Sequence, residues 1–255
     1  MIKTIRGKRL AVDIEGNGDP VLMIHGLGGT TNVWGVQARA LAQKFTTIRV
    51  DLEGSGRSPP AGTLSIENWV QDLHALVQAE GLTSVRLVAH SLGTLIAQHF
   101  AARYPEQVVR LALLGINRAP VDARRQTLRS RAANVRAEGL EAIVDSVIEG
   151  GLSKETRRSN PLVEAFVREL LLRQSAEGYA RSCEAVATST AADISRIVCP
   201  VLLIAGADDT VSTPAISKAV ASELKSAHAM VLDGCGHWLP LERPSEITQA
   251  LVDFL

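Results

Sequence analysis

Short apolar runs recur along the chain and alternate with longer segments of helical periodicity. Five of these runs are too short for stable helices and too apolar for loops, so they are predicted to be buried strands: residues 21–25, 47–51, 85–89, 109–114 and 201–205. Continuously apolar strands are typical of a parallel sheet that is covered on both faces. The pattern therefore predicts an α/β fold with a mainly parallel, doubly wound sheet.

Two of the intervening segments have the spacing of an amphipathic helix. Over residues 66–77 the apolar side chains recur at offsets of 3, 4, 7, 10 and 11, which places them on one helix face. Residues 92–100 repeat this pattern directly after a strand, and Tyr104-Pro105 ends it. The opening residues, 2–15, are predicted to form an antiparallel hairpin at the edge of the sheet.

The alternation of strands and helices stops between about Arg118 and Ala192. This stretch contains no convincing strand and is dense in arginine and glutamate, and residues 140–148 mark a strong helical stripe. We therefore predict three parts: residues 1–117 and 193–255 form the α/β core, and residues 118–192 form a helical cap inserted into it. Residues 118–192 are called the cap segment below.

A serine lies where one predicted strand runs directly into a helix. The segment VRLVAHSLGT matches the G-x-S-x-G turn of serine hydrolases, with Ala89 in place of the first glycine and Gly93 as the second. Such a turn exposes the serine hydroxyl and needs small residues on both sides. A serine here could instead only cap the helix. The flanking strand and helix favour Ser91 as a nucleophile.

A glycine-rich turn, HGLGG, follows the first predicted buried strand. Acyl transfer requires N–H donors aimed at the oxygen on which negative charge develops, and glycine lets the backbone approach that oxygen closely. The amides of Leu27 and Leu92 are the predicted donors. His25 is expected to support this turn, and Gly26 to line the site.

Two later loops supply candidate partners for the serine. A serine needs an imidazole to take its proton and a carboxylate to hold that imidazole in one tautomer. Of six histidines, only His237 lies in a glycine-rich loop late in the chain, and Asp209 follows a strand in the loop GADD. The order Ser91, Asp209, His237 is the one found in this type of fold. Asp208 is an alternative acid, whereas Asp51, in the turn DLEGSGRS, is interpreted as structural.

The substrate pocket is predicted from neighbours of these residues. His25, Gly26, His90 and Trp238 adjoin the candidate triad and the glycine-rich turn. The cap segment is expected to close over the serine, and one of its arginines could meet a substrate carboxylate. Arg136 and Arg173 are the candidates.

Charge and composition exclude several classes of function. Lys and Arg number 27, as do Asp and Glu, so nothing in the charge favours nucleic acid or an anionic membrane as partner. No histidine or cysteine spacing indicates a metal site, and no phosphate-binding motif indicates a cofactor. The opening residues lack the apolar core of a secretory signal, and three cysteines far apart suit a reducing compartment. We expect a cytoplasmic protein, and assembly into a homo-oligomer is left open.

These motifs, in this order, resemble the α/β-hydrolase superfamily along nearly the whole chain. The closest resemblance is to 3-oxoadipate enol-lactonases, and it rests on HGLGG, DLEGSGRS, AHSLG, GADDTVSTP and GHWLPLERP. The resemblance implies that Asp209 is the triad acid. Two departures are Ala89, where these enzymes usually have glycine, and a cap segment without tryptophan, where they carry one near the pocket.

The motifs and the resemblance together predict a cofactor-independent serine hydrolase that acts on a carboxylic ester or lactone. A thioesterase, a perhydrolase and a C–C bond hydrolase can use the same triad. Outside enzymes, the alternative is a ligand-binding receptor that keeps the fold, because fold alone does not determine function.

Overall fold

One eight-stranded sheet organises the chain, of which a computed structural model describes all residues, 1–255. The strand order is β1-β2-β4-β3-β5-β6-β7-β8, with β2 antiparallel to β1 and β4 and all other neighbours parallel. The predicted α/β fold and its antiparallel edge hairpin are confirmed. The strands are β1 (Ile2–Ile5), β2 (Lys8–Glu15), β3 (Asp19–Ile24), β4 (Phe45–Val50), β5 (Val85–His90), β6 (Val108–Leu114), β7 (Val201–Gly206) and β8 (Ala227–Leu232).

Eleven α-helices connect or flank these strands. The five runs predicted as buried strands are β3 to β7, with ends displaced by at most two residues. None of the helices combines the length and apolarity that crossing a membrane requires. The helices are α1 (Gly35–Leu41), α2 (Ile66–Ala79), α3 (Leu92–Arg103), α4 (Asp122–Glu138), α5 (Glu141–Gly151), α6 (Lys154–Ser159), α7 (Pro161–Leu172), α8 (Ala176–Ala187), α9 (Pro214–Glu223), α10 (Leu239–Glu242) and α11 (Pro244–Phe254).

Both faces of the sheet are covered, as the apolar runs predict. Successive side chains of a strand point to opposite faces. In β3, Leu22 and Ile24 therefore join an apolar cluster with α2 and α3, whereas Val21 and Met23 join a second cluster with α1 and α11. Burial on both faces explains why these strands read as continuous apolar runs.

Within the cap segment, the structure has α4 to α8 and no strand. These helices leave the core after β6 and return to it before β7. Most of their buried apolar side chains, including Leu128, Val144 and Leu171, belong to the same apolar cluster as Met23 of the sheet. The cap segment is thus packed onto the core.

The parallel strands bring several loops to one edge of the sheet. Parallel neighbours end on the same side, so the segments that follow β3, β5, β6, β7 and β8 are adjacent in space although they are far apart in the chain. These segments contain Leu27, Ser91, Asn117, Asp209 and His237, respectively.

Candidate active site

Ser91 has strained backbone geometry at the junction of β5 and α3. Its φ of 52° and ψ of −119° lie in a region that non-glycine residues rarely adopt, at a cost of about 1–3 kcal/mol. The close approach of β3 explains the small residue on the helix side, since a Cβ on Gly93 would lie 2.4 Å from the Ile24 carbonyl oxygen. Ala89 is tolerated on the strand side because its backbone is ordinary β5 strand without positive φ.

The Ser91 side chain makes no capping hydrogen bond to α3. Its Oγ lies 2.7 Å from Nε2 of His237, and Nδ1 of His237 lies 2.7 Å from Oδ2 of Asp209. Because a carboxylate only accepts, Nδ1 carries the proton of the neutral ring, and the Ser91 hydroxyl donates to the free Nε2. The three predicted triad residues are therefore in one hydrogen-bonded line.

Asp209 is fixed by the loop after β7. Its Oδ1 accepts hydrogen bonds from the amides of Val211 at 2.8 Å and Ser212 at 2.7 Å, which leaves Oδ2 for His237. Burial opposes its ionisation, but His237 and the two amides outweigh burial and lower its pKa below the ordinary value. The alternative acid, Asp208, is exposed, and the carboxylate that contacts His237 is that of Asp209.

Asp51, in the turn DLEGSGRS, is engaged elsewhere. Its carboxylate accepts hydrogen bonds from the amide of Thr31 at 2.7 Å and from the amide and Nε of Arg57 at 3.1 and 2.9 Å. It ties the glycine-containing turn to the segment after β3, in keeping with the structural interpretation.

Two amides are available beside Ser91. The Leu27 amide has no acceptor in the protein, and Leu92 is the first residue of α3, a position whose amide lacks an intrahelical acceptor. The HGLGG turn lies directly against the serine, since a Cβ on Gly26 would be 2.8 Å from Cβ of Ser91. Glycine at this position is what lets the turn come so close.

His25 holds that turn from behind. Its Nδ1 donates to the Gly26 carbonyl at 2.8 Å, and its Nε2 accepts from the Leu52 amide at 3.0 Å, so both ring nitrogens are used inside the protein. Burial lowers the pKa of His25, which keeps the ring neutral. His25 is fully buried and does not line the cavity, so its placement matches a supporting position and not a substrate contact.

Asn117 is a neighbour of Ser91 that sequence reasoning missed. Its Nδ2 donates to Ser91 Oγ at 3.2 Å, and its amide donates to Thr94 Oγ1 at 2.8 Å. Gln98 of α3 donates to the Asn117 carbonyl oxygen at 2.8 Å. The available signal was its position just after β6, the strand next to the serine-bearing strand.

A cavity of about 430 Å³ opens above the serine. Of the predicted pocket residues, Trp238 lines it, whereas Gly26 and His90 are buried and do not. Ser91, His237 and the candidate oxyanion donors Leu27 and Leu92 also line it. More than half of the lining residues come from the cap segment: Arg118, Ala119, Pro120, Val121, Arg124, Leu128, Arg131, Ser146, Val147, Gly150, Gly151, Tyr179 and Val186.

The two arginines predicted to reach the pocket do not line it. Arg136 lies on the outer surface, where Glu177 and Glu184 of α8 neutralise it. Arg173 follows α7 and lines a separate cleft of about 300 Å³ beside Thr31 and Arg57. Both predictions are wrong because sequence alone did not reveal which face of each helix looks onto the serine.

The loop of His237 is bound to the cap segment. The His237 amide donates to the Gly151 carbonyl at 2.7 Å, and the buried Glu242 carboxylate accepts from the amides of Ser153, Gly236 and Trp238 at 2.9–3.0 Å. The backbone around His237 is therefore fixed by hydrogen bonds to Gly151 and to Glu242. No group of three or more His, Cys, Asp or Glu side chains is placed to hold a metal ion.

Residues 21–250 match the model of the alpha/beta hydrolase family. The chain belongs to this family. The matched range includes Ser91, Asp209 and His237, together with the strands and loops of this alpha/beta hydrolase that position them.

Individual relatives of this alpha/beta hydrolase include esterases and lactonases. A thermophilic esterase from Thermogutta terrifontis, solved with malate bound, is 28% identical with a TM-score of 0.93, over 99% of this chain and 96% of that one. The enol-lactonase from Burkholderia xenovorans LB400 is 27% identical with a TM-score of 0.91, over 100% and 99%. The 3-oxoadipate enol-lactonase 2 of Acinetobacter baylyi is 28% identical over 91% of this chain and 86% of its own length. The resemblance to enol-lactonases is confirmed.

Proposed function

We propose that this alpha/beta hydrolase cleaves a carboxylic ester or lactone through an acyl-enzyme on Ser91. The observation that carries the proposal is the line Ser91–His237–Asp209, with both contacts at 2.7 Å, at the floor of a cavity. Ser91 is the nucleophile, His237 the general base and then acid, and Asp209 the residue that orients the ring.

In the first half-reaction, Ser91 Oγ bonds to the acyl carbon while its proton passes to Nε2 of His237. The Leu27 and Leu92 amides stabilise the negative charge that develops on the carbonyl oxygen. The C–O bond to the leaving alcohol then breaks, and His237 returns the proton to that oxygen. In a lactone, the leaving oxygen stays on the same molecule.

In the second half-reaction, water replaces the alcohol. His237 takes a proton from water, the resulting hydroxide bonds to the acyl carbon, and the bond to Ser91 Oγ breaks as His237 returns the proton to it. The products are one acid and one alcohol, and the protein returns to its starting state.

Ser91→Ala tests the proposal. Loss of a triad nucleophile costs on the order of a millionfold in turnover, so the variant should not hydrolyse 4-nitrophenyl butyrate and should not react with a fluorophosphonate probe. A purified, folded variant with substantial remaining turnover refutes Ser91 as nucleophile. Wild-type protein that reacts with the probe but turns over no ester, lactone or thioester favours the receptor alternative.

A cytoplasmic location is part of the same proposal. All three cysteines, Cys183, Cys199 and Cys235, are buried and unpaired. Burial raises the pKa of the Cys199 thiol to about 11, so this thiol is protonated near neutral pH. Free thiols are typical of proteins from reducing compartments.

A further inference from the structure

The cavity above Ser91 is lined by arginines and by no acidic side chain. Arg118, Arg124 and Arg131 line it, and no aspartate or glutamate does. The whole chain has equal numbers of acidic and basic residues, so this asymmetry is local to the cavity.

Four of the eleven arginines of the cap segment form ion pairs within the protein, but two at the cavity form none. Arg118 donates to both carboxylate oxygens of Glu223 at 2.8 and 2.9 Å. Arg168 likewise pairs with Asp145 at 2.7 Å. Arg124 and Arg131 form no ion pair, and the charges that act on Arg124 come from Arg131, Tyr179 and Cys183, without any carboxylate.

Arg124 and Arg131 share one face of α4 with a buried apolar residue between them. Positions separated by four and seven residues lie on the same side of a helix, so Arg124, Leu128 and Arg131 all turn toward the cavity. Both arginines are half-buried. Burial, and then the charge of Arg131, lower the pKa of Arg124. Two like charges that are partly shielded from water repel each other, and a bound anion relieves that repulsion.

We propose that Arg124 and Arg131 bind a carboxylate of the substrate, at a position remote from the bond that Ser91 attacks. A planar guanidinium matches a carboxylate with two parallel hydrogen bonds, which a neutral ester cannot reproduce. The preferred substrates are therefore anionic esters or lactones that carry an ionised carboxyl group. This inference rests on the proposed function and specifies its substrate class.

The test compares matched esters on wild type, Arg124→Gln, Arg131→Gln and the double variant. One pair, mono-4-nitrophenyl adipate and 4-nitrophenyl hexanoate, differs by a carboxylate in the acyl part. A second pair, 4-acetoxybenzoate and 4-methylphenyl acetate, differs by a carboxylate in the leaving group. Arg129→Gln, an exposed arginine of the same helix, is the control.

The expected result is a loss of preference for the charged member of at least one pair. Each single variant should lower kcat/KM for the charged member about tenfold to a hundredfold, mainly through KM, because charge-assisted hydrogen bonds to its carboxylate are lost. The neutral member should change by less than about twofold, and Arg129→Gln should behave as wild type. Since neither arginine has a carboxylate partner, the melting temperature of the variants should not fall.

A binding measurement keeps the inference testable without turnover. In the Ser91→Ala background, adipate should raise the melting temperature more than hexanoate, and the Arg124→Gln, Arg131→Gln double variant should abolish that difference. If the arginine variants leave both the ester preference and the adipate shift unchanged, the inference is wrong. The proposed function survives that result as long as Ser91-dependent turnover of the neutral esters persists.

Discussion

His90 donates a hydrogen bond from its ring Nε2 to the main-chain carbonyl oxygen of His237, at 2.7 Å. A carbonyl only accepts, so this contact fixes the tautomer of His90. Burial, followed by the charge of His237, lowers the pKa of His90 to about 3. The residue next to Ser91 therefore stays neutral and holds the loop of the candidate base.

His90→Ala should lower kcat without changing the pH at which activity is lost. The substitution leaves the buried His237 carbonyl without its donor, at a cost of about 1–3 kcal/mol, and loosens the ring of His237 relative to Ser91. His90 does not change charge between pH 5 and 9, so the variant's pH–rate profile should be scaled down and not shifted. A displaced profile would show that His90 itself titrates during turnover. His90→Gln, which retains a donor, should restore part of the activity.

Asp209→Asn should lower turnover about ten-thousandfold, by analogy with other triads, because the amide no longer imposes the required His237 tautomer. Asp208→Asn is the matched control and should retain turnover, since Asp208 is exposed. An equal loss in both variants would contradict the assignment of the acid.

The same carboxylate makes stability depend on pH in the acid range. The pKa of Asp209 is lowered in the folded state, so the unfolded chain binds its proton first as pH falls. Its contribution is complete above the ordinary value of 3.8 and is lost as pH decreases through the lower folded-state pKa. Urea unfolding between pH 5 and 2 should therefore show a shallower decline of stability for Asp209→Asn than for wild type.

Asn117 can be tested by two substitutions with different consequences. Asn117→Ala removes a neutral donor to Ser91 Oγ, and we expect about a tenfold loss in kcat or less. Asn117→Asp replaces the donor by an acceptor that competes with His237 for the serine proton and adds a negative charge near the developing oxyanion. Its loss should exceed that of Asn117→Ala at neutral pH and should diminish in acid. Equal rates for the two variants would rule out an electrostatic effect of Asn117 on the serine.

The cap segment should determine substrate choice. Residues 118–192 supply more than half of the cavity lining, whereas the triad comes entirely from the core loops. Exchanging 118–192 with the equivalent part of a relative of different preference should transfer the ranking of esters and lactones. A folded chimera that keeps the original ranking would assign selectivity to the core loops instead.

Sequence reasoning brought together the right side chains where each candidate residue follows a strand end. The apolar strand before Ser91 and the small residues around it gave a local signature, and parallel pairing then requires the loops of Asp209 and His237 to meet it. It failed in the cap segment, where helix phase decides which side chains reach the cavity. Arg131 and Arg136 are five residues apart on α4, which turns the helix by about 140°, so one lines the cavity and the other faces Glu177 outside.

Asn117 illustrates a second limit. Its contact with Ser91 depends on hydrogen bonds from its amide to Thr94 and from Gln98 to its carbonyl, both on the helix after the serine. The spacing of residues along the chain does not predict such a network, because the partners belong to neighbouring strand–helix units.

The absence of acidic side chains from the cavity wall also bears on what happens after the bond is broken. Ester hydrolysis leaves a new carboxylate beside Ser91, in a chamber lined by arginines and without an aspartate or glutamate to repel it. For an anionic substrate, the products together carry one more negative charge than the molecule that entered. On the proposed function, we expect release of that acid to be slow and accumulated product to inhibit hydrolysis in competition with fresh substrate.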